Sequence, residues 1–196
     1  MSKQAFKILL PAGLEDLLPP EADQEEAMVR LLSDNFSSYG NQRVKPPLLE
    51  FEESLLDGIG EAVAGQTFRL MDPISQRMMG LRADITPQVA RLAATRLQDA
   101  PRPLRLMYAG EVFRVKGEQL RANREISTIG IELIGAARAA KADAEVILLA
   151  AESIIALGVD GLSVDINVPP LARMICDHFD VPVKTYEGLL NALNRK

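Results

Sequence analysis

Arg114, Glu132 and Asp84 are the side chains whose types and spacing admit ligand chemistry. From Tyr108 the chain reads Tyr-Ala-Gly-Glu-Val-Phe-Arg, then a polar stretch carrying Arg121 and Arg124, then Glu-Ile-Ser-Thr-Ile-Gly-Ile-Glu up to Glu132. That pattern is two β-strands joined by an arginine-bearing loop. A guanidinium at the lip of one strand forks onto a phosphate or carboxylate, and a carboxylate on the returning strand receives an amine or an imidazole. Together they suit a zwitterionic small molecule. Each residue also has a plainer reading. Arg114 alone reads as a surface arginine. Glu132 alternates with apolar neighbours, so it is either an ion-pair member or a ligand contact, because an unpartnered buried charge is costly. Asp84 and Thr86, in Leu81-Arg82-Ala83-Asp84-Ile85-Thr86, read as helix-capping residues or as a carboxylate offered to an ammonium group.

The elements that must carry these residues are legible in the pattern. Prolines and acidic residues after Leu14 open a helix expected over 21–39, with Val29, Leu32 and Phe36, and beside them Met28, Leu31 and Tyr39, forming an apolar stripe that Gly40 ends. Residues 44–51 read as extended chain confined to an edge or interface by Pro46-Pro47. Segments 67–71 and 77–82 flank the turn Asp72-Pro73-Ile74-Ser75 as a hairpin. Thr86-Pro87 reads as N-cap and first helical residue of a helix through Val89, Ala93 and Leu97. Alternation through Leu104, Leu106 and Tyr108, and through 126–133, implies two long antiparallel strands. A helix over 143–157, a short strand through Leu162, Val164 and Ile166, a helix over 169–179 and a helical piece over 186–194 complete the series. Grouped strands with flanking helices indicate an α+β fold, expected as a single domain over 1–196.

Composition removes several function classes. The net charge is −5 and the pI about 5.1, with 22 basic residues, so no broad nucleic-acid footprint is expected. There is no tryptophan, and aromatic residues make up 5%, which speaks against a stacking platform for single strands. His178 is the sole histidine and Cys176 the sole cysteine, so neither a zinc site nor an intramolecular disulfide is expected. No cofactor is implied, Gly58-Ile59-Gly60 reads as a turn rather than a phosphate loop, and no segment has the length and apolarity of a membrane span or an export signal. The expectation is a soluble cytoplasmic protein.

The same residues carry a family resemblance. Phe113-Arg114, the loop, Arg124-Glu125 and Ile129-Gly130-Ile131-Glu132 resemble motif 2 of class II histidyl-tRNA synthetases. More closely, they resemble the synthetases' non-catalytic relative, the regulatory subunit of short-form ATP phosphoribosyltransferase. Gly13-Leu14-Glu15-Asp16-Leu17-Leu18-Pro19, the motif 1-like Val44-Lys45-Pro46-Pro47-Leu48-Leu49-Glu50, and Leu-Arg-Ala-Asp-Ile-Thr-Pro-Gln over 81–88 follow in the family's order. The resemblance implies a class II synthetase-like, mixed but largely antiparallel sheet flanked by helices, with the chain ending before motif 3. It further implies a histidine pocket: Asp84 for the ammonium group, Thr86 orienting, Arg114 for the carboxylate, and Thr128 and Glu132 on the imidazole side.

Where synthetase motif 2 has Arg-x-Glu, this chain has Lys116. The later Arg-Tyr-Arg is Ala122-Asn123-Arg124, and Thr128 stands in place of a glutamine. Activation of an amino acid needs placed cations on a transferring phosphate, so these departures imply a chain without catalysis of its own. What the resemblance implies instead is a subunit that homodimerises through motif 1, assembles with the phosphoribosyltransferase catalytic chain, activates it in the first step of histidine synthesis and conveys feedback inhibition by histidine. The competing readings are a histidyl-tRNA synthetase fragment forming histidyl-adenylate and a scaffold with a dead pocket.

Overall fold

A computed structural model describes residues 10–56, 64–117, 122–166, 168, 170–182, 185–186 and 188–189. The Gly58-Ile59-Gly60 turn lies outside them, as does most of the helical piece expected over 186–194. The chain divides into two compact units, 1–160 and 161–196, each taken by itself.

In the first unit, helix α1 (Glu21–Ser38) is followed by strands β1 (Gln42–Arg43) and β2 (Leu49–Phe51), then helix α2 (Glu52–Leu56) and the hairpin of β3 (Phe68–Met71) and β4 (Met78–Leu81). Helix α3 (Thr86–Ala94), strands β5 (Leu104–Phe113) and β6 (Glu125–Ile134), and helix α4 (Ala139–Ala156) complete it. Two three-stranded sheets form among the described residues, ordered β1-β5-β6 and β2-β4-β3. The segment expected as extended over 44–51 links them: it follows β1 of the first sheet, and its end, 49–51, is β2 of the second. Pro46 and Pro47 cannot donate to a ladder, and they fall between β1, which runs parallel to β5, and β2, which pairs antiparallel with β4.

The long pair β5 and β6 is antiparallel in one unbroken register, Leu104 opposite Ile134 through to Phe113 opposite Glu125. Because side chains alternate across a strand, one face carries Leu106, Tyr108, Gly110 and Val112 with Glu132, Gly130, Thr128 and Ile126. On that face Ile85, Val89 and Ala93 of the α3 region pack against Leu104, Leu106, Tyr108 and Val112. The opposite face presents Met107, Ile129 and Ile131 to Phe36 of α1 and Leu149 of α4. Helices therefore cover the large sheet on both sides.

Helix α1 turns Phe36 inward, while Met28, Leu31 and Tyr39 on the expected stripe remain 46%, 39% and 41% exposed. Polar contacts fix α1 to α4: Asn35 Nδ2 donates to Ser153 Oγ at 2.6 Å, and the Tyr39 hydroxyl donates to Glu152. Arg105 forks onto Glu145 and ties β5 to the same helix. In the β3–β4 turn the Asp72 carboxylate accepts from the Ile74 and Ser75 backbone and from Ser75 Oγ, the local bonding an Asx turn requires.

Three expectations need correction. Thr86 is not the N-cap of α3 but its first residue. The cap position is Ile85, whose side chain offers no oxygen, and the Asp84 carboxylate one residue earlier takes the free N–H groups instead. In the second unit, 162–166 is not a strand. Val164 and Ile166 are 50% and 73% exposed, and among the described residues no neighbouring strand supplies the hydrogen bonds that alternation alone cannot. Helix α5 (Pro170–His178) follows, burying Cys176. Helix α4 starts at Ala139, four residues before the expected 143.

Candidate amino-acid site at the head of helix α3

Asp84 stands where the loop leaving β4 enters α3. Its Oδ1 accepts from the backbone N–H of Ile85 at 2.7 Å and of Thr86 at 3.3 Å. These are orphan donors of the first helical turn, and a carboxylate there also meets the positive end of the helix dipole. Thr86 Oγ1 lies 3.2 Å from the Tyr108 hydroxyl, which in turn lies 3.4 Å from Glu132 Oε1. The helix and strand β6 are thus joined through the phenol of β5, and the loop residue Asp84 joins them through the Thr86 backbone.

Tyr108 reaches this position because Gly130 is directly opposite it in the register. A Cβ on Gly130 would lie 2.5 Å from the Tyr108 hydroxyl and 2.6 Å from its Cζ. The missing side chain is the room the ring occupies. Burial pushes the phenol's pKa up, and the nearby carboxylates of Glu132 and Asp84 add to this, while the Thr86 hydrogen bond opposes it.

Of the five residues singled out from the sequence, Asp84, Thr86 and Glu132 are brought together in this way. Thr128 shares that face four residues back along β6 from Glu132, its hydroxyl 3.5 Å from the carbonyl of Ile126 on its own strand. Arg114 is not brought up to them. Its N–H bonds the Arg124 carbonyl at 2.8 Å, extending the ladder one step past β5. At about 3.3 Å per residue it stands roughly 20 Å along the strand from Tyr108, so it can meet only the far end of a ligand or a second group.

Sequence reasoning passed over two groups. Tyr108 was visible only as an alternating strand residue, although a glycine across from an aromatic is a signal of close approach. The second is a network under α3. Arg82, 6% exposed, donates through Nε to the Glu111 carbonyl at 2.7 Å, and through Nη1 to the Pro46 carbonyl at 3.2 Å and Gln88 Oε1 at 3.4 Å. Gln88 Nε2 donates to the Pro47 carbonyl and to Glu50 Oε1, and Glu50 is forked by Arg91. Gly110 leaves space for the Arg82 guanidinium, onto which its Cβ would fall. The motif 1-like segment is thereby fastened to the helix that presents Asp84 and Thr86.

On the other side of the sheet a cavity of about 390 Å³ is bordered by the carboxylates Glu15, Asp16, Glu25, Glu111 and Glu125. Burial raises the Glu111 pKa, and Glu25 and Glu125 raise it further. A carboxyl raised in the folded state keeps its proton longer there than in the unfolded chain. The fold is therefore most stable with Glu111 protonated, and it loses that stability as pH climbs through and just above the ordinary carboxylate range. Glu111→Gln is expected to melt higher than the wild type at pH 7.5, by roughly 1–3 °C. The difference should vanish in thermal scans at pH 4, and a lower melting point at pH 7.5 would contradict the assignment.

The strand pair with its arginine-bearing connection, the capped helix at its head and helices on both faces define a class II aminoacyl-tRNA synthetase-like core. A family model described as Histidyl-tRNA synthetase matches residues 13–196, and the chain belongs to that family. Among its relatives, an ATP phosphoribosyltransferase regulatory subunit of Rhodospirillum centenum is 54% identical over 188 residues, which is 96% of this chain and 48% of the relative. One of the same name from Paramagnetospirillum magneticum is 54% identical over 196 residues, 100% of this chain and 52% of the relative. The chain therefore spans about half the length of these curated relatives. A solved structure from Bacillus halodurans, described as an ATP phosphoribosyltransferase regulatory subunit/histidyl-tRNA synthetase, superposes with a TM-score of 0.69 at 31% identity, covering 82% of this chain and 40% of that one. Among the described residues no helix is long and apolar enough to cross a membrane.

Proposed function

We propose that this chain acts in the cytoplasm as a regulatory, non-catalytic subunit. It assembles with the catalytic chain of short-form ATP phosphoribosyltransferase, activates it, and conveys feedback inhibition by histidine. The observation that carries this reading is the 54% identity to relatives named as that subunit, joined to a site whose carboxylates suit an amino acid. Asp84 takes the ammonium group, with Thr86 beside it. Glu132 and Thr128 face the imidazole, while Arg114, roughly 20 Å along the strand from Tyr108, stands too far for the carboxylate of the same bound amino acid and is left to a second anionic group. In this reading the whole chain works as one synthetase-like core domain.

Two features support regulation over catalysis. Lys116 occupies the place of the nucleotide-assisting glutamate, its backbone N–H held by Gln66 Oε1 at 3.1 Å. Thr128 replaces the glutamine. Homodimerisation is assigned to the motif 1-like segment, where Leu48 and Leu49 are 38% and 36% exposed while Glu50 is held inward by Gln88 and Arg91. The second reading, a histidyl-tRNA synthetase, is favoured by the double description of the Bacillus halodurans structure. It requires histidine-dependent ATP–pyrophosphate exchange, which is expected to be absent.

The direct test is co-expression with a short-form catalytic chain. Expected are co-elution on size exclusion, phosphoribosyltransferase activity above that of the catalytic chain alone, and inhibition by histidine. A catalytic chain that elutes separately and is equally active by itself would contradict the proposal.

A further inference from the structure

Tyr108 lies at the centre of the site, and the hydrogen-bonding capacity of its neighbours fixes the direction of the chain Thr86–Tyr108–Glu132. Glu132, as a carboxylate, only accepts. The phenol must therefore give its proton to Glu132 Oε1, 3.4 Å away. Its oxygen is then left to accept, and across 3.2 Å the available donor is the Thr86 hydroxyl. With that proton committed, Thr86 Oγ1 turns only lone pairs outward, at an exposed position beside the Asp84 carboxylate. Two acceptors next to one another, one of them charged, form a receptor for a group that only donates, and a primary ammonium is such a group.

We propose that Tyr108 is a positioning residue that makes ammonium recognition at Asp84 and Thr86 depend on the carboxylate of Glu132. The inference rests on the reading of this site as an amino-acid pocket and adds a coupling between its two ends. The ring is held for this purpose: it is 7% exposed, seated on Gly130, and packed in the cluster of Ile85, Val89 and Leu106. Without the phenolic oxygen, the Thr86 proton loses its fixed acceptor, and its lone pairs are no longer held toward the ammonium group.

The test compares two ligands by calorimetry on the intact chain: histidine, and its deamino analogue imidazole-4-propionate, which retains ring and carboxylate. The ratio of their dissociation constants reads ammonium recognition alone. In Tyr108→Phe that ratio is expected to shrink about tenfold, the worth of one hydrogen bond to a charged group. Thr86→Val removes the acceptor that the phenol orients without touching the core, and it should shrink the ratio alike even if Tyr108→Phe folds poorly. A purely structural role weakens both ligands together, so an unchanged ratio in Thr86→Val, or in a folded Tyr108→Phe, overturns the coupling. Failure of the pocket itself is separately visible, because then the wild type binds neither ligand and the coupling falls with it.

Discussion

Arg82→Met is expected to be the most destabilising single change in the described residues. The guanidinium is 6% exposed and its donors are shared among the Glu111 carbonyl, the Pro46 carbonyl and the Gln88 amide oxygen. Methionine fills much of the volume but donates nothing. Acceptors from three parts of the chain then lose a partner where water enters poorly, and Glu50 and Glu111 lose a nearby positive charge. Removing one member of such a network costs about 3–5 kcal/mol, a melting-point fall of roughly 10 °C for a chain of this length. Arg82→Lys should recover little, since a single ammonium cannot reproduce a planar fork reaching in three directions. Urea unfolding followed by far-ultraviolet circular dichroism reads the loss. A change below about 1 kcal/mol, the worth of an ordinary surface bond, would show that the network does not fasten 46–50 to helix α3.

The second large effect is on binding. Asp84→Ala is expected to abolish histidine recognition and feedback while leaving assembly with the catalytic chain intact. Because Asp84 also caps α3, alanine carries a stability loss of about 1 kcal/mol in addition. Asp84→Asn separates the two roles. Its carbonyl oxygen still accepts from the Ile85 and Thr86 N–H groups, so the melting point should stay near the wild-type value, but the charge that meets an ammonium is gone. Affinity is expected to fall by about 30-fold or more, the consequence of replacing a charge-assisted contact by a neutral one that also presents N–H donors. Retained affinity in a stable Asp84→Asn would take Asp84 out of recognition and leave it as a cap.

The parts of this structure legible in the sequence are those fixed by local pattern. Alternation through Leu104, Leu106 and Tyr108 and through 126–133 located β5 and β6, and a helix was evident over 21–39, because one-sided burial imposes a period on the residues that supply it. Segment 162–166 shows the limit. It alternates as well as β6 does, yet a strand needs a partner, and pairing is not written in the segment itself. Position 84 was ambiguous in kind rather than in place: its carboxylate caps the helix, and in the proposed reading it also meets the ligand, so capping and binding are not exclusive. Tyr108 and Arg82 were hidden for a different reason. Their importance comes from what lies opposite, Gly130 for the ring and Gly110 for the guanidinium, and such pairings emerge only once the register is set.

Histidine titrated calorimetrically into the wild-type chain and into Asp84→Asn tests most directly whether a synthetase-like cleft still holds an amino acid. Expected is a saturable heat with the wild type that disappears with the variant while both proteins melt alike. No saturable heat with the wild type, or equal heats with both, would contradict it.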